Sequence, residues 1–152
     1  MNPSLYPNPD YWLSYVFKRL VGRQVLAASV QPGGAASADH VRVYAHCTST
    51  RAGYRPGAIT LYAINLNDTT PALLHLAAGH DVYLYLMTPQ NNQLTSRYVQ
   101  LNGKILRMPD DSTLPALEAV PVTDAKVTLP ALTYAFVVMQ PTSDVIMTSV
   151  CS

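Results

Sequence analysis

The stretch from Gly57 to Thr69 carries the clearest hydrophobic pattern in the chain. In an extended strand its side chains alternate between two faces, and both faces are apolar: Ile59, Leu61 and Ala63 on one side, and Tyr62, Ile64 and Leu66 on the other. A strand of this kind is typical of a position buried on both sides. Gly57 and the Asn67–Thr69 cluster supply the turn residues expected at its two ends.

One segment near the N-terminus has helical spacing instead. We predict a linker up to Pro9, with Asp10 as the cap of a helix over Tyr11–Val21. The apolar stripe of this helix consists of Trp12, Leu13, Val16, Phe17 and Leu20. Lys18 and Arg19 fall in the last turn, where cations suit the helix dipole, and Gly22 suits the C′ position.

The rest of the chain reads as short strands of period two, separated by turn residues. We predict strands at Gln24–Val30, Val41–Cys47, Ala72–Leu76, Val82–Met87, Val127–Leu129, Leu132–Met139 and Asp144–Val150. Tyr98–Arg107 is predicted to be a hairpin around Asn102–Gly103, because Asn-Gly strongly favours a type I′ turn. Pro32–Ala38 and Pro109–Asp124 are the predicted long loops. The expected fold is therefore mainly β, an antiparallel β-sandwich preceded by one α-helix.

Composition limits the classes of function. Of the 152 residues only 12% are charged, and the net charge is +1, against roughly 25% charged residues in an average soluble domain. The basic residues are scattered, with Lys18-Arg19 the only adjacent pair, so the sequence predicts neither nucleic-acid binding nor attachment to a membrane surface. No apolar run reaches the roughly 20 residues of a membrane span. No signal peptide is visible either, so a secreted form would need one further upstream on a longer precursor.

Candidate catalytic side chains are few. Glu118 is the only glutamate and lies in the Pro109–Asp124 loop, where a solvated charge is the common role. Asp110 and Asp111 are adjacent, and such pairs more often cap turns than catalyse. The four histidines lack metal-ligand spacing, and His46 and Cys47 point to opposite faces of a strand, which disfavours a dyad. We therefore predict no catalytic residue, no metal site and no cofactor in this chain.

The two cysteines and one sequon bear on the compartment. Cys47 and Cys151 would bridge in a secreted protein, or remain as buried free thiols in a cytosolic one. Asn67-Asp68-Thr69 is an N-glycosylation sequon, which favours the secreted alternative, although such tripeptides also occur by chance.

Seven segments, in order along the chain, resemble the C-terminal region of heparanases: Pro9–Ser14, Phe17–Gly22, Val25–Ala27, Arg42–Thr48, Leu61–Leu66, Val99–Gly103 and Asp110–Pro115. Heparanases are retaining glycoside hydrolases of family 79 that cut heparan sulfate at glucuronic acid. They combine a (β/α)8 barrel with a C-terminal β-sandwich. The resemblance implies that residues 1–22 are a linker and the last barrel-type helix, and that residues 23–152 are the sandwich.

The same resemblance implies roles for three residues and names the partners. Cys47 and Cys151 fall where the family has its sandwich disulfide, and Asn67 matches a glycosylation position. The implied partners are the barrel and the N-terminal segment of a parent enzyme, and, through that parent, heparan sulfate proteoglycans. The implied locations are the extracellular matrix and the lysosome.

A retaining glycosidase needs two carboxyl groups about 5 Å apart. In the family both are barrel glutamates, upstream of any residue in this chain, so we expect the chain to be catalytically silent alone. Three functions remain open: the accessory domain of an active heparanase, the same domain of the inactive, heparan sulfate-binding paralogue, or an independent carbohydrate-binding module. The sequence disfavours the third, because it shows no basic or clearly aromatic strip.

Overall fold

The fold is a large antiparallel sheet with a helix on one face and a strand pair on the other. The computed structural model describes residues 6–30, 40–110, 112–142 and 151. It contains α1 (Pro9–Leu20), β1 (Val21–Leu26), β2 (Val41–Thr48), β3 (Ile59–Asn65), β4 (Ala72–His75), β5 (His80–Pro89), β6 (Val99–Leu101), β7 (Lys104–Ile105), β8 (Val120–Val122), β9 (Lys126–Leu129) and β10 (Thr133–Pro141). The predicted class, one helix followed by antiparallel β structure, is confirmed.

The order of strands in the large sheet differs from their order in the chain. It runs β1-β2-β3-β10-β5-β6-β7, with β8 paired to β5 beyond the end of the β6 ladder, and all of these pairs are antiparallel. The last described strand, β10, is therefore inserted between β3 and β5. Seven residues of β10 pair with β3 and eight pair with β5.

Strand β10 separates two apolar layers because its side chains alternate between the two faces of the sheet. Phe136 and Val138 point into the layer beneath α1, whereas Ala135, Val137 and Met139 point into the opposite layer. Each of the four residues from Ala135 to Val138 has no exposed surface. Strand β3 beside it is also an internal strand, as its two apolar faces predicted.

The layer opposite the helix is closed by a second, two-stranded sheet made of β4 and β9. Ala72 of β4 and Val127 and Leu129 of β9 pack into the same cluster as Val137 of β10. Leu129 is fully buried. The two sheets therefore form the predicted sandwich, although one of them has only two strands.

Helix α1 lies on the other face of the large sheet. Trp12, Val16 and Leu20, spaced four residues apart, are its buried side chains and share a cluster with Phe136. Two details of the prediction were wrong. The N-cap is Asn8, not Asp10, and Gly22 does not adopt the left-handed C′ conformation, because the chain turns at Val21 directly into the extended conformation of β1.

Gly22 has a different structural role. A Cβ at this position would lie 2.4 Å from the carbonyl oxygen of Cys47 and 3.1 Å from its carbonyl carbon. These are backbone atoms of β2, so they cannot rotate away as a flexible side chain would. The absence of a side chain lets β1 approach β2 where the chain leaves the helix.

The predicted hairpin is confirmed. Asn102 and Gly103 both have positive φ angles, of 49° and 81°, which a type I′ turn requires. The Asn102 side chain also accepts a hydrogen bond from the Leu86 N–H, and donates to the carbonyls of Leu84 and Glu118. The hairpin is thereby fixed to β5 and to the segment that follows it.

The segment Pro109–Asp124 was predicted to be only a loop, but it contains the short strand β8. Residues Val120–Val122 pair with Val82–Leu84 of β5. Tyr15 of α1 donates a hydrogen bond of 2.7 Å to the Pro115 carbonyl, which holds the segment against one side of the helix. The predicted strand at Asp144–Val150 and the Pro32–Ala38 loop lie outside the described residues.

Buried polar groups in the interior are paired. Thr60 and Asn65 are almost completely buried; the Thr60 hydroxyl donates to the carbonyl of Leu20, and the Asn65 amide donates to three carbonyls. Tyr54 and Tyr85 share a hydrogen bond of 2.7 Å between their hydroxyls, and burial is the main reason that both phenol pKa values are raised. No buried side-chain polar atom of the described part of the chain lacks a partner.

We predict that Gly22→Ala destabilises the protein by about 1 to 3 kcal/mol, the usual cost of forcing an extra carbon into a packed site. The new Cβ must push β1 away from the Cys47 carbonyl. The free energy of unfolding, measured by urea titration under oxidising conditions, should fall by this amount.

Gln24→Ala is the matched control, because Gln24 lies exposed on the same strand. It should change the free energy of unfolding by less than about 0.5 kcal/mol. Equal stability of the Gly22→Ala variant and the unmutated protein would show that β1 and β2 do not approach each other as closely as described.

Candidate functional site

Asp110, a candidate acid from the sequence, is a turn residue in the structure. Its carboxylate accepts hydrogen bonds from the backbone N–H groups of Ser112 and Thr113 and from the Ser112 hydroxyl. These bonds, with the Ser112 backbone contribution the largest, lower the pKa of Asp110 to about 2. A general acid needs a pKa near the working pH, so the environment of Asp110 is unsuited to that role.

Glu118 is engaged in an exposed ion pair. Its carboxylate accepts a hydrogen bond from the Lys104 ammonium at the β6–β7 hairpin. This hydrogen bond, followed by the charge of Lys104, lowers the pKa of Glu118. The raised pKa that marks a glycosidase acid is thus absent from both Glu118 and Asp110. Asp111 lies outside the described residues.

The structure brings no metal-binding cluster together among the residues it describes. His46 is turned towards β1, where its Nδ1 donates to the Gly22 carbonyl at 3.1 Å. Its neighbour Cys47 is bonded to Cys151. The two residues therefore have separate structural partners and do not form a nucleophilic dyad.

The disulfide between Cys47 and Cys151 joins β2 to a residue beyond β10, at a sequence separation of 104. The backbone continues this connection, because the Gly57 N–H donates to the Cys151 carbonyl at 2.9 Å. In the chain-entropy model, closing a loop of this length stabilises the fold by about 4 to 5 kcal/mol. Residue 151 is thus held against the turn that leads into β3.

Asn67 lies in the turn that follows β3, half-buried beside exposed neighbours. Its Oδ1 accepts hydrogen bonds from the N–H groups of Thr69 and Thr70 and from the Thr69 hydroxyl. The carbonyl of Asn67 accepts from the Leu132 N–H, and its own N–H donates to the side chain of Asn65. This turn presents the amide nitrogen, the atom a glycan would occupy, without a hydrogen bond to any described residue.

One candidate interaction surface is a row of tyrosines on the helix side of the large sheet. We call it the tyrosine face and define it as Tyr44, Tyr62, Tyr134 and Phe17. The ring of Tyr62 stacks with those of Tyr44 and Tyr134, with centroids 6.0 and 6.4 Å away and interplanar angles of 28° and 6°, and Phe17 meets it edge-on at 6.0 Å. Tyr44 is 50% exposed, and both Tyr134 and Phe17 are 38% exposed.

Strand register explains this arrangement. Tyr44 of β2 lies directly opposite Tyr62 of β3, and Tyr62 lies opposite Phe136 of β10, with Tyr134 two residues away on the same face. Burial, together with the neighbouring tyrosines, raises the pKa of Tyr62. Tyr62 is therefore uncharged at neutral pH.

Two hollows flank the tyrosine face along α1. One, of about 240 Å³, lies between Phe17 and Tyr62, and the other, of about 280 Å³, lies between Leu13, Leu94 and Tyr134. The opposite side of the helix is covered by the segment around Pro115. The open side can therefore accept side chains from another apolar surface.

Sequence reasoning missed this surface because its members are far apart in the chain. Tyr44, Tyr62 and Tyr134 each read as an ordinary strand tyrosine, and only the β2-β3-β10 order brings them together. The insertion of β10 beside β3 leaves no local signal in the sequence. The pairing of the tyrosines could have been found only by fixing the register of three strands.

No helix among the described residues is both long and apolar enough to cross a membrane. The helix in question, α1, has 12 residues.

Several known proteins are similar to this chain in sequence. No protein-family model matches the chain. The chain is 45% identical over 139 residues to heparanase of Gallus gallus, covering 88% of this chain and 26% of that protein. It is 39% identical to inactive heparanase-2 of Homo sapiens, covering 88% of this chain and 24% of that protein. It is also 39% identical to a hyaluronoglucuronidase of Hirudo nipponia, covering 76% of this chain and 24% of that protein.

Among solved structures, a bifunctional glucanase-xylanase from a metagenome library is similar with a TM-score of 0.38 and 20% identity, covering 68% of this chain and 16% of that one. This similarity is too weak to carry an argument. The chain spans about a quarter of the length of the curated relatives it matches. Those relatives, which match most of its residues, identify the chain as a heparanase-like C-terminal region of a glycosidase family.

Proposed function

We propose that this chain is the non-catalytic β-sandwich region of a heparanase-like endo-β-glucuronidase that acts on heparan sulfate. In this role it stabilises the catalytic (β/α)8 barrel of its parent and supports secretion to the matrix and the lysosome. The observation that carries the proposal is the tyrosine face, an apolar surface beside α1 in a chain that matches only a quarter of its relatives' length.

The carboxylates of the chain support a role without catalysis. Its only glutamate is paired with Lys104, and hydrogen bonds hold Asp110 in its ionised form. A retaining mechanism needs one carboxyl group as a proton donor and a second, about 5 Å away, as the nucleophile. These groups must therefore come from the barrel of the parent.

The barrel is a suitable partner for the tyrosine face. Aromatic side chains are enriched at the centres of protein interfaces, because they bury a large area at little cost in side-chain entropy. Helix α1 lies beside this face, so a barrel that precedes the helix in the chain would be tethered next to it. We infer that an outer surface of the barrel covers Tyr44, Tyr134 and Phe17 and fills the two flanking hollows.

The proposal predicts that the 152-residue chain alone leaves heparan sulfate uncut. The measurement is the size distribution of heparan sulfate after long incubation, by gel filtration, with the parent enzyme as the positive control. Shortening of the polysaccharide that disappears in a Glu118→Gln variant would overturn the proposal, because activity would then reside in this chain.

The tyrosine face generates a second prediction. In the parent enzyme, the double substitution Tyr44→Ser and Tyr134→Ser should lower the stability of the barrel–sandwich assembly by about 2 kcal/mol or more, because two interface aromatics are lost. The melting temperature and the secreted yield of the parent should both fall. In the isolated chain the same substitutions remove only the stacking of these two rings on Tyr62, so its own free energy of unfolding should fall by less, about 1 kcal/mol.

Leu73→Ser is the matched control, because Leu73 is 51% exposed on β4, in the other sheet. It removes a comparable exposed apolar side chain but should leave the melting temperature of the parent unchanged. A parent that tolerates loss of the tyrosines as well as it tolerates loss of Leu73 would show that the barrel docks elsewhere.

We also propose that Asn67 is glycosylated in a secreted protein, since its neighbours in the turn are exposed and its amide nitrogen has no hydrogen bond to a described residue. Peptide N-glycosidase should reduce the mass of the secreted protein by one glycan. Thr69→Ala should abolish this shift, whereas Thr69→Ser, which retains the sequon, should preserve it. An unchanged mass after enzyme treatment of the unmutated protein would contradict the assignment.

The inactive paralogue is the alternative parent, because the chain is also 39% identical to inactive heparanase-2. In both cases this chain has the same docking role. The two parents differ in the barrel carboxylates, so a parent that binds heparan sulfate without cutting it would favour the alternative.

A further inference from the structure

Asn102, at the tip of the β6–β7 hairpin, is the only asparagine of the chain that a glycine follows. Asparagine is one of the chemically labile residues of proteins. The backbone nitrogen of the next residue can attack the side-chain carbonyl carbon, and glycine hinders this attack least because it has no side chain and a flexible backbone. The pair that forms the type I′ turn is therefore also the pair most prone to this reaction.

The reaction is a deamidation. The Gly103 nitrogen gives up its proton and forms a bond to Cγ of Asn102, while the bond from Cγ to the side-chain nitrogen breaks and ammonia leaves. Water then opens the resulting succinimide ring at one of its two C–N bonds. The product is aspartate or isoaspartate. The net change is hydrolysis of an amide to a carboxylate and ammonium, so the reaction needs water but no oxidant or reductant.

The fold holds Asn102 in place with four hydrogen bonds. Its amide nitrogen donates to the carbonyls of Leu84 and Glu118, both at 2.9 Å, and its side-chain oxygen accepts from the Leu86 N–H at 2.9 Å. Its backbone N–H donates to the Leu86 carbonyl at 2.8 Å. Both hydrogens of the amide group are therefore in use, and the residue is joined to β5 and to the segment before β8.

These bonds oppose the reaction. The nitrogen that must leave as ammonia donates to two carbonyls, and Cγ cannot move towards the Gly103 nitrogen while both of its polar atoms are held. Water is not excluded, because Gly103 is exposed and a Cβ there would meet no atom within 4 Å. Hydrogen bonding, rather than burial, is thus what protects Asn102.

The product cannot restore the same contacts. A carboxylate has no hydrogen to donate at neutral pH. The carbonyls of Leu84 and Glu118 would face a negatively charged oxygen in place of an N–H group, and leaving such groups without a donor is costly. Isoaspartate would also add a backbone carbon to a two-residue turn. Neither product allows the hairpin to return to its position on β5.

The hairpin is a small element at the edge of the large sheet. Strand β6 pairs with β5 at three positions, whereas β10 pairs with β5 at eight, and β7 has only two residues. Apart from the contacts of Asn102, the buried side chains of Val99 and Leu101 attach β6 to the layer under α1. Short edge elements open at a lower free energy than the centre of a sheet.

We propose that Asn102 is a deamidation site controlled by the opening of the β6–β7 hairpin. The site is unreactive while the hairpin is attached to β5, reacts once the hairpin opens, and then prevents the hairpin from closing. Deamidation thus makes a reversible local opening permanent. This proposal does not depend on the identity of the parent protein or on the docking of the barrel.

The test is peptide mapping of the 152-residue chain after incubation at mildly alkaline pH, with and without guanidinium chloride and with the disulfide intact. Trypsin releases the peptide Tyr98–Lys104, and chromatography with mass spectrometry separates its asparagine, aspartate and isoaspartate forms. The folded chain should react at least about tenfold more slowly than the unfolded chain, because the hairpin is open only a small fraction of the time. Equal rates in the two conditions would overturn the proposal.

Two matched variants test whether the hairpin itself controls the rate. Leu101→Ala and Leu129→Ala remove the same atoms from buried positions, the first in β6 and the second in β9 on the other side of the sheet. In native buffer, Leu101→Ala should accelerate deamidation several-fold more than Leu129→Ala. An equal or larger acceleration by Leu129→Ala would show that Asn102 reacts only after global unfolding, which also overturns the proposal.

The consequence for the fold is tested with Asn102→Asp. Asn67→Asp is the matched control, because the Asn67 side chain only accepts hydrogen bonds from Thr69 and Thr70, and a carboxylate can accept them too. Asn102→Asp should lower the equilibrium constant for folding about tenfold or more, and Asn67→Asp should change it little. Equal effects of the two substitutions would contradict the proposal. If Asn102→Asp does not fold, the rate comparison on the unmutated chain still decides.

Discussion

The burial of strand β10 on both faces is the constraint on which the whole structure depends. Phe136 and Val138 complete the layer under α1, and Ala135, Val137 and Met139 complete the layer under the β4–β9 sheet. Without β10, β3 and β5 would lose their common neighbour and the large sheet would divide in two. Both the helix and the second sheet therefore pack against residues of β10, which comes late in the sequence. Contacts of such long sequence separation are costly to form and make folding slow relative to local structure.

Much of this fold follows from local pattern. The stripe of α1, the alternation in β2 and the Asn102–Gly103 turn are each determined by residues a few positions apart, and each was predicted. The errors lie where contacts with a segment distant in sequence determine the local structure. Gly22 was assigned to a helix cap, but its structural role is to let β1 approach the backbone of Cys47 in β2. Val120–Val122 contains a proline and reads as loop, yet the free edge of β5 pairs with it. Pairings of this kind carry no periodic signal.

The candidate interaction surface depends even more on long-range contacts. Each tyrosine of the tyrosine face lies in a strand that the sequence predicts. The meeting of these tyrosines depends on strand order, which the local pattern does not encode. The sequence therefore shows no aromatic strip, whereas the structure brings three tyrosines to one face.

The position of Cys151 also has a consequence for biosynthesis. Its partner Cys47 is synthesised 104 residues earlier, which at about 5 to 20 residues per second means a delay of roughly 5 to 20 s on the ribosome. During that interval Cys47 is a thiol without its native partner, and β3 still lacks its neighbour β10. Closure of the disulfide therefore requires that β10 has already been synthesised. In an oxidising compartment, a chain in which translation stopped before Cys151 would keep Cys47 without its native partner.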